Sequence, residues 1–272
     1  MDMADQTPTG LIDPALADAD DGPIVLAGQL RVPGRRRTAR HQHRRGQLLG
    51  AHQGLLRIEA GNLQWLLPAG HVAWIPPLLP HALLGADGFD GWSLYVRADA
   101  GLDLPPLPRI FQPDALLQAA VTRALRWPHQ ALDAAQARLA GVIADEIRAS
   151  TPLPFALPQP RDRRLRRIAA ALARSPDDLR SVEAWAAASG LSSRSLARRW
   201  QAETGMTLSQ WRQRLRVLLS LPRLLAGEPV ISVALSMGYD TPSSFINVFK
   251  REMGVTPARH YLMPYATVPM PG

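Results

Sequence analysis

The 272-residue sequence contains no cysteine, a single lysine (Lys250) and no long uninterrupted apolar run. Each absence removes a class of answer. Without thiols there is no disulfide framework, no thiolate metal site and no cysteine nucleophile. Pro, His and Arg break every apolar stretch before it reaches the roughly 20 residues that a spanning helix needs, so no membrane partner is expected. The first twenty residues are acidic and lead into no apolar segment, which argues against a secretory leader and for a cytoplasmic protein. What the chain does have is arginine, and unevenly. The formal net charge is +8, but 17 basic and 8 acidic side chains lie from Thr151 onward against 14 and 15 before it. A cationic half suits a polyanionic partner, whose phosphates supply most non-specific affinity. A coding bias that also enriches Ala and Pro would produce the same arginine excess, so charge alone does not decide.

The stretch from Val182 to His260 carries one pattern twice. Val182/Val230, Ala186/Ala234 and Gly190/Gly238 match at an offset of 48; Leu196/Phe245, Trp200/Phe249, Glu203/Glu252, Gly205/Gly254 and Thr207/Thr256 match at 49. The second copy therefore has one extra residue in its turn, and the chain holds two copies of one supersecondary unit. Each unit reads as helix, tight turn, helix. In the first, Ser181 caps a helix whose Val182, Trp185 and Ala186 share an apolar face, and Gly190 supplies the positive φ that ends it. The next helix starts from Ser192, with Leu196 and Trp200 inward and Arg194 and Arg198 outward. In the second, Thr241 caps, Pro242 takes the first helical position, Phe245 and Phe249 face inward, and Ser243, Asn247 and Arg251 face out. This is the pattern of a helix-turn-helix with a basic or amide-bearing recognition face.

On these residues, and most specifically on G238-Y-D-x-P-S-x-F245-x-x-x-F249-K-R-x-x-G254-V-T-P, the last hundred residues or so resemble the C-terminal DNA-binding domain of the AraC/XylS family of transcription regulators. The resemblance implies double-stranded operator DNA as partner, a homodimer, and a contact with RNA polymerase. In the first recognition helix Arg194 and Arg198 are the candidates for base contact, with Arg199 and the capping region Ser192, Ser193 and Ser195 on phosphate. In the second, Ser243, Ser244 and Asn247 are the base-contact candidates, after the Thr241 cap, with Lys250 and Arg251 on the backbone. Arg pairs bidentately with guanine and Asn with adenine.

The N-terminal half is different in kind. From Ile24 to Ala98, short β-type runs alternate with Gly and Pro punctuation, which favours a small barrel or sandwich. Within it lies H41-Q-H43-R-R-G-Q47, and later Pro80-His81. On a continuous strand His41, His43, Arg45 and Gln47 would share one face, provided no bulge intervenes at Gly46. The arrangement is similar to the cupin motifs, His-x-His followed by an acid and then a third His, here His81. Cupin domains precede the DNA-binding part in many AraC-type regulators, so the two resemblances agree. The cupin acid is replaced by Gln47, which cannot serve as a carboxylate base. Two readings remain open: His41, His43 and His81 hold a divalent metal such as zinc, nickel or iron, or they line a pocket for a small-molecule effector. The Arg35-Arg36-Arg37 run with Arg40, Arg44 and Arg45 reads first as a solvated loop and second as a contact for DNA or an anionic effector. Of Trp65, Trp74 and Trp92, at least two are expected in the core.

Helical patterns follow at Ala115 to Trp127 and Ala131 to Ala149, the second with a stripe of Leu132, Leu139, Ile143 and Ile147. By resemblance such helices mediate dimerisation; without it they cover an open sheet face. The stretch from Thr151 to Pro160, with four prolines in ten residues, reads as an extended, semi-rigid linker. Beyond it Leu165, Ile168, Ala169 and Leu172 share a helical face. Between the repeats, Ser209 to Ala226 reads as one helix about 27 Å long, with Trp211, Leu215 and Leu218 inward and a kink or break expected near Leu218 to Leu221 because of Pro222. The expected architecture is α+β in two domains: an N-terminal cupin-like β-barrel with helices, and a C-terminal all-α domain with two helix-turn-helix units joined by a linker helix. The expected boundaries are a flexible N-terminus at 1–22, an effector and dimerisation domain at 23–150, the linker at 151–160, the DNA-binding domain at 161–264 and a tail at 265–272. The function expected is a sequence-specific DNA-binding regulator that senses a small molecule or metal. The alternatives are a metal-dependent cupin enzyme with a helical appendage, against which Gln47 and the duplication both argue, and a purely architectural DNA-binding protein with a filled barrel.

Overall fold

The structure, a computed structural model, describes residues 12–32, 36–85 and 89–262. Residues 1–11 of the expected N-terminus, Arg35 and the expected 265–272 tail lie outside them. The chain begins with α1 (Pro14–Asp18), β1 (Val25–Val32), β2 (Arg36–Arg37), β3 (Gly46–Gln53), β4 (Leu55–Ala60) and β5 (Leu63–Pro68). It continues with β6 (Val72–Ile75), β7 (His81–Gly85), β8 (Phe89–Val96), β9 (Arg109–Phe111), α2 (Ala115–Ala124), α3 (Ala134–Ala149) and β10 (Ala156–Pro158). The remainder is helical: α4 (Arg163–Arg174), α5 (Val182–Ala188), α6 (Ser193–Thr204), α7 (Leu208–Leu225), α8 (Val230–Ser236), α9 (Pro242–Met253) and α10 (Pro257–Leu262). The fold is thus mixed α+β, strand-rich first and helical last. The chain divides into two compact units. Among the described residues, one runs through Ile58 and resumes over Leu67–Leu153; the other comprises Glu59–Leu66 and residues 154–262.

Among the described residues the strands form two sheets, in the orders β1-β8-β3-β6-β9 and β10-β5-β4-β7-β2. Leu48, Trp74, Leu94 and Phe111 of the first sheet are buried together with Leu117 and Val121 of α2 and Ile143 and Ile147 of α3. The apolar stripe of α3 therefore covers a sheet face. Trp65, Trp74 and Trp92 are all core residues. Two glycines in β3 make room for two of them: a Cβ on Gly46 would lie 2.0 Å from the Trp74 ring, and one on Gly50 would lie 2.4 Å from that of Trp92. Gly46 is thus required by a close ring, and the strand irregularity falls instead between Ala51 and Gln53.

Three expectations change. First, residues 41–45 are not strand; β3 begins only at Gly46, and His41 makes an isolated bridge to His81. Arg45 does not share a face with the histidines. Its guanidinium is buried and donates to the carbonyls of Leu16 (3.0 Å), Pro23 (2.5 Å) and Asp21 (2.6 Å). Arg44 pairs with Asp20, and its backbone N–H donates to the Asp18 carboxylate at 3.1 Å. Part of the basic cluster is thus used to fasten residues 12–22, which carry α1 under the Asp13 cap. Second, the proline-rich linker is extended, but as a strand. Ala156, Leu157 and Pro158 pair with Trp65, Gln64 and Leu63 of β5, and Phe155 and Leu157 are fully buried. β10 is an edge strand, where a proline's missing N–H breaks no ladder. Third, α7 runs unbroken through Pro222. The proline lies one turn from the helix end, where it removes a single backbone bond. Leu218, Leu221 and Leu224 are buried on either side of it, and the Ser220 hydroxyl donates to Val217 O at 2.6 Å. At 1.5 Å per residue its 18 residues span about 27 Å.

Candidate nucleic-acid interface and effector pocket

The duplication is real at the level of single hydrogen bonds. In the first unit Ser181 caps α5 through the N–H of Ala184, and the helix closes with Gly190 N–H to Ala187 O (3.1 Å) and Leu191 N–H to Ala186 O (2.9 Å). In the second, Gly238 N–H donates to Leu235 O (2.9 Å) and Tyr239 N–H to Ala234 O (3.1 Å). Both glycines are left-handed, φ +63° and +76°, as this helix ending demands. The next helix begins at a Ser192 cap, whose hydroxyl accepts the N–H of Ser195, or at a Thr241 cap, which accepts that of Ser244. The longer second turn inserts Asp240 between the Thr241 cap and Tyr239, the counterpart of Leu191; the Tyr239 ring packs edge-on against Phe245 at 5.4 Å. Leu196 and Trp200, like Phe245 and Phe249, are fully buried. Gly205 and Gly254 then end the two recognition helices in left-handed conformations, and Thr207 and Thr256 accept from the N–H groups of Gln210 and Arg259 in the helices that follow.

Two landmarks to which sequence reasoning gave no role turn out to hold the units in place. Glu203 accepts the backbone N–H groups of Arg161 (2.5 Å) and Asp162 (3.0 Å) at the start of α4, and Glu252 pairs with Arg214 of α7 at 3.0 Å. A third residue, Arg216, had no signal beyond its place in a basic helix. It is 9% exposed and donates through Nε to Pro176 O (2.7 Å), with longer contacts to Gly238 O and Asp178 O (3.5 Å each). Its guanidinium carbon lies 5.3 Å from the Tyr239 ring. One side chain thus joins the loop before the first helix-turn-helix to the turn of the second. Beside it, Arg212 donates to Arg180 O at 3.0 Å and to Asp178 O.

The candidate contact residues divide into the engaged and the free. Arg194 and Arg198 of α6 are exposed, four residues apart, and have no partner among the described residues. Arg199 does have one: Asp162, the α4 cap, at 3.2 Å, so its reach toward a phosphate competes with an internal ion pair. In α9 Ser243, Asn247 and Lys250 are exposed with no partner among the described residues. Ser244 is exposed but shares a hydrogen bond with Thr241 at 2.9 Å, and Arg251 donates to the Gln213 amide oxygen at 2.8 Å. Ser192 and Ser195 are likewise bonded to each other at 3.0 Å, while Ser193 is part-buried at the first turn.

The N-terminal unit gathers the expected histidines. Potential ligand nitrogens of His41, His43 and His81 all lie within 4.8 Å of one another, with His43 and His81 buried and His41 the more exposed. Each Nδ1 is paired with a backbone carbonyl: Ala39 O (2.9 Å), Arg45 O (2.5 Å) and Leu79 O (2.8 Å) respectively. A carbonyl only accepts, so each neutral ring carries its proton on Nδ1 and presents a bare lone pair at Nε2. The buried Nε2 atoms of His43 and His81 have no partner. Gln47 lies alongside, donating through Nε2 to Ser93 Oγ and Tyr95 Oη (3.0 Å each) and leaving its buried Oε1 without a partner. Tyr95 packs edge-on against His43 at 5.3 Å. Burial lowers the pKa of His43, takes that of His81 down to about 4 and raises that of the Tyr95 phenol to about 12. His43 and His81 are accordingly neutral near pH 7. Neutral imidazoles with oriented Nε2 atoms fit a divalent ion, and they fit a hydrogen-bonding effector only if it brings the donors. Ser93 and Tyr95 were not expected here; their only sequence signal was alternation along a strand.

No helix among the described residues is long and apolar enough to cross a membrane. Residues 185–261 match the family described as "Helix-turn-helix domain". The transcriptional regulator NimR of Escherichia coli K12 is 30% identical over 228 residues, covering 81% of this chain and 81% of that protein. The regulator RipA of Corynebacterium glutamicum is 28% identical over 211 residues, 78% of this chain and 60% of that protein. Among solved structures, the DNA-binding domain of the transcriptional factor AdpA, in complex with a target DNA, is 30% identical over 35% of this chain and 87% of that one, with a TM-score of 0.34. The paired helix-turn-helix units, the family match over them and the relationship to NimR across four-fifths of both chains place this protein in the AraC/XylS family of helix-turn-helix transcription regulators.

Proposed function

We propose that this DNA-binding regulator is effector-responsive: its N-terminal, cupin-like unit captures a ligand at His41, His43, Gln47 and His81, and capture changes how the two helix-turn-helix units engage operator DNA. The chain works in the cytoplasm as a homodimer and contacts RNA polymerase. α6 reads bases through Arg194 and Arg198, and α9 reads them through Ser243 and Asn247, with Ser244 close to its cap. Phosphate contacts come from Ser193, Ser195 and Lys250, and from Arg199 and Arg251 once they exchange their internal partners for DNA. The observation that carries the reading is the contrast within each recognition helix, where the landmark apolar residues are buried and Arg194, Arg198 and Asn247 stand exposed without partners among the described residues. The two readers are unequal, arginines in one and an amide with hydroxyls in the other, so the first half-site prefers guanine and the second adenine.

The test is a gel-shift titration at fixed salt. Arg198→Ala should lose specific operator affinity by roughly tenfold or more, the discrimination that one bidentate base contact supplies. Unchanged affinity would remove Arg198 from the base-reading set. Operator affinity that is the same with and without every compound tried would leave an architectural DNA-binding protein in place of an effector-responsive one.

A further inference from the structure

The histidine pocket offers an occupant three bare acceptors. His43 Nε2, His81 Nε2 and Gln47 Oε1 are buried lone-pair atoms without partners, and the Nδ1 protons that would otherwise donate are bound to the carbonyls of Ala39, Arg45 and Leu79. An unmet buried acceptor is costly, so the occupant must bring positive charge or several donors. Among the described residues the donor cluster is three histidines, with no carboxylate in it. A divalent ion held by three imidazoles and an amide oxygen would keep its full charge inside a low-dielectric wall. That charge calls for a counter-ion at whatever coordination position the protein leaves open.

We propose that Gln47, standing where an acid would neutralise the site, makes the pocket a divalent-cation site one anion short, so that the effector is an anionic oxygen ligand, a carboxylate or other oxyanion, that binds on the ion. The inference rests on the reading of this pocket as the effector site and specifies its chemistry. The ion and the anion bind as a pair: each is weak alone and each strengthens the other by the same factor. The Ser93 and Tyr95 hydroxyls, now accepting from the Gln47 amide, can rotate to donate to a carboxylate placed at that position, which makes Gln47→Glu a conservative way to supply the missing charge internally.

The full chain, dialysed against chelator, is titrated with Co2+ and followed by visible absorption, then with acetate as the anionic probe. Wild type should bind one equivalent of Co2+, and His43→Ala and His81→Ala should not. Acetate should change the Co2+ bands of wild type and show no binding to the ion-free chain. In Gln47→Glu, Co2+ should bind roughly tenfold or more tightly and acetate roughly tenfold or more weakly, the scale of effect that groups around a metal exert. Equal acetate affinity in wild type and Gln47→Glu overturns the proposal, and so does a wild-type chain that takes up no Co2+. Gel shifts on the same samples separate the two levels. Operator binding that responds to a metal-free compound in a chain that binds no Co2+ removes this inference alone, whereas operator binding indifferent to Co2+, acetate and metal-free compounds removes the effector reading with it.

Discussion

Arg216→Ala perturbs the joint between the two DNA-reading units without touching either recognition helix. The side chain is 9% exposed, its Nε bond to Pro176 O is 2.7 Å, and its contacts to Gly238 O and Asp178 O are 3.5 Å. Only the first has the length of a full hydrogen bond, and a bond from a charged donor is worth about 1.5–3 kcal/mol. Removing a buried guanidinium recovers part of its desolvation cost, while the Pro176 carbonyl is left unmet. The net loss should be about 2 kcal/mol, which for a unit of about a hundred residues lowers Tm by roughly 10 °C. Arg216→Lys, which keeps the charge but not the fork, should fall between the two. The DNA readout is more specific than the stability. Below the lowered Tm, binding to an isolated half-site should be unchanged, while binding to the complete operator should weaken by about tenfold, equivalent to about 1.4 kcal/mol of lost coupling between units. Calorimetry and paired gel shifts on whole and half operators measure both. A Tm within about 2 °C of wild type, or equal weakening on half and whole sites, would refute the role given to Arg216.

Lys250→Ala should weaken binding to all DNA alike and reduce the slope of log K against log salt by about one unit, since the side chain is exposed and has no partner among the described residues; an effect confined to one sequence would contradict a phosphate role. Gly46→Ala should destabilise the N-terminal unit by about 1–3 kcal/mol in chemical denaturation, because its Cβ would meet the Trp74 ring at 2.0 Å and the ring is fully buried; a neutral result would mean that the ring moves freely. Hydrogen bonds from Arg164 hold the Asp162 carboxyl below its usual pKa, and those from Arg180 do the same for Asp178. A depressed carboxylate contributes stability that is complete above its unfolded pKa and lost as the pH falls through the folded value, so the C-terminal unit should weaken below about pH 4. Asp178→Asn should flatten that acid limb in a pH series of thermal melts, and an unchanged limb would exclude it as a contributor.

How far the sequence could be read follows from the range of the forces involved. The helix-turn-helix units were legible because their determinants are local: Ser181, Ser192 and Thr241 cap within three residues, Gly190 and Gly238 end helices by their own φ, and Trp200 and Phe249 sit on short periodic faces. Gln47 as a departure from an acid was likewise a matter of one position. What escaped depends on partners far along the chain. Arg45 looked like part of a solvated run because nothing near it announces carbonyls 22 to 29 residues earlier. The 151–160 stretch looked like a free strut because its pairing partner, β5, lies far earlier in the chain, with Pro158 set against Leu63. His41 and His43 looked like strand residues, but the backbone turns before β3 so that their Nδ1 protons reach carbonyls, and no alternation rule encodes that. Pro222 was given too much weight: a proline one turn from a helix end costs one bond, and the buried leucines around it outweigh that loss.

Two unequal helix-turn-helix units reading one DNA face through successive major grooves are tested most directly by missing-nucleoside interference on the bound operator, which reports guanine and adenine contacts alike. Two patches of interference should appear on the same face, centred about one helical turn or 10 base pairs apart, with the guanine-rich patch lost in Arg198→Ala and the other retained. A single patch, or two patches on opposite faces about half a turn apart, would contradict it.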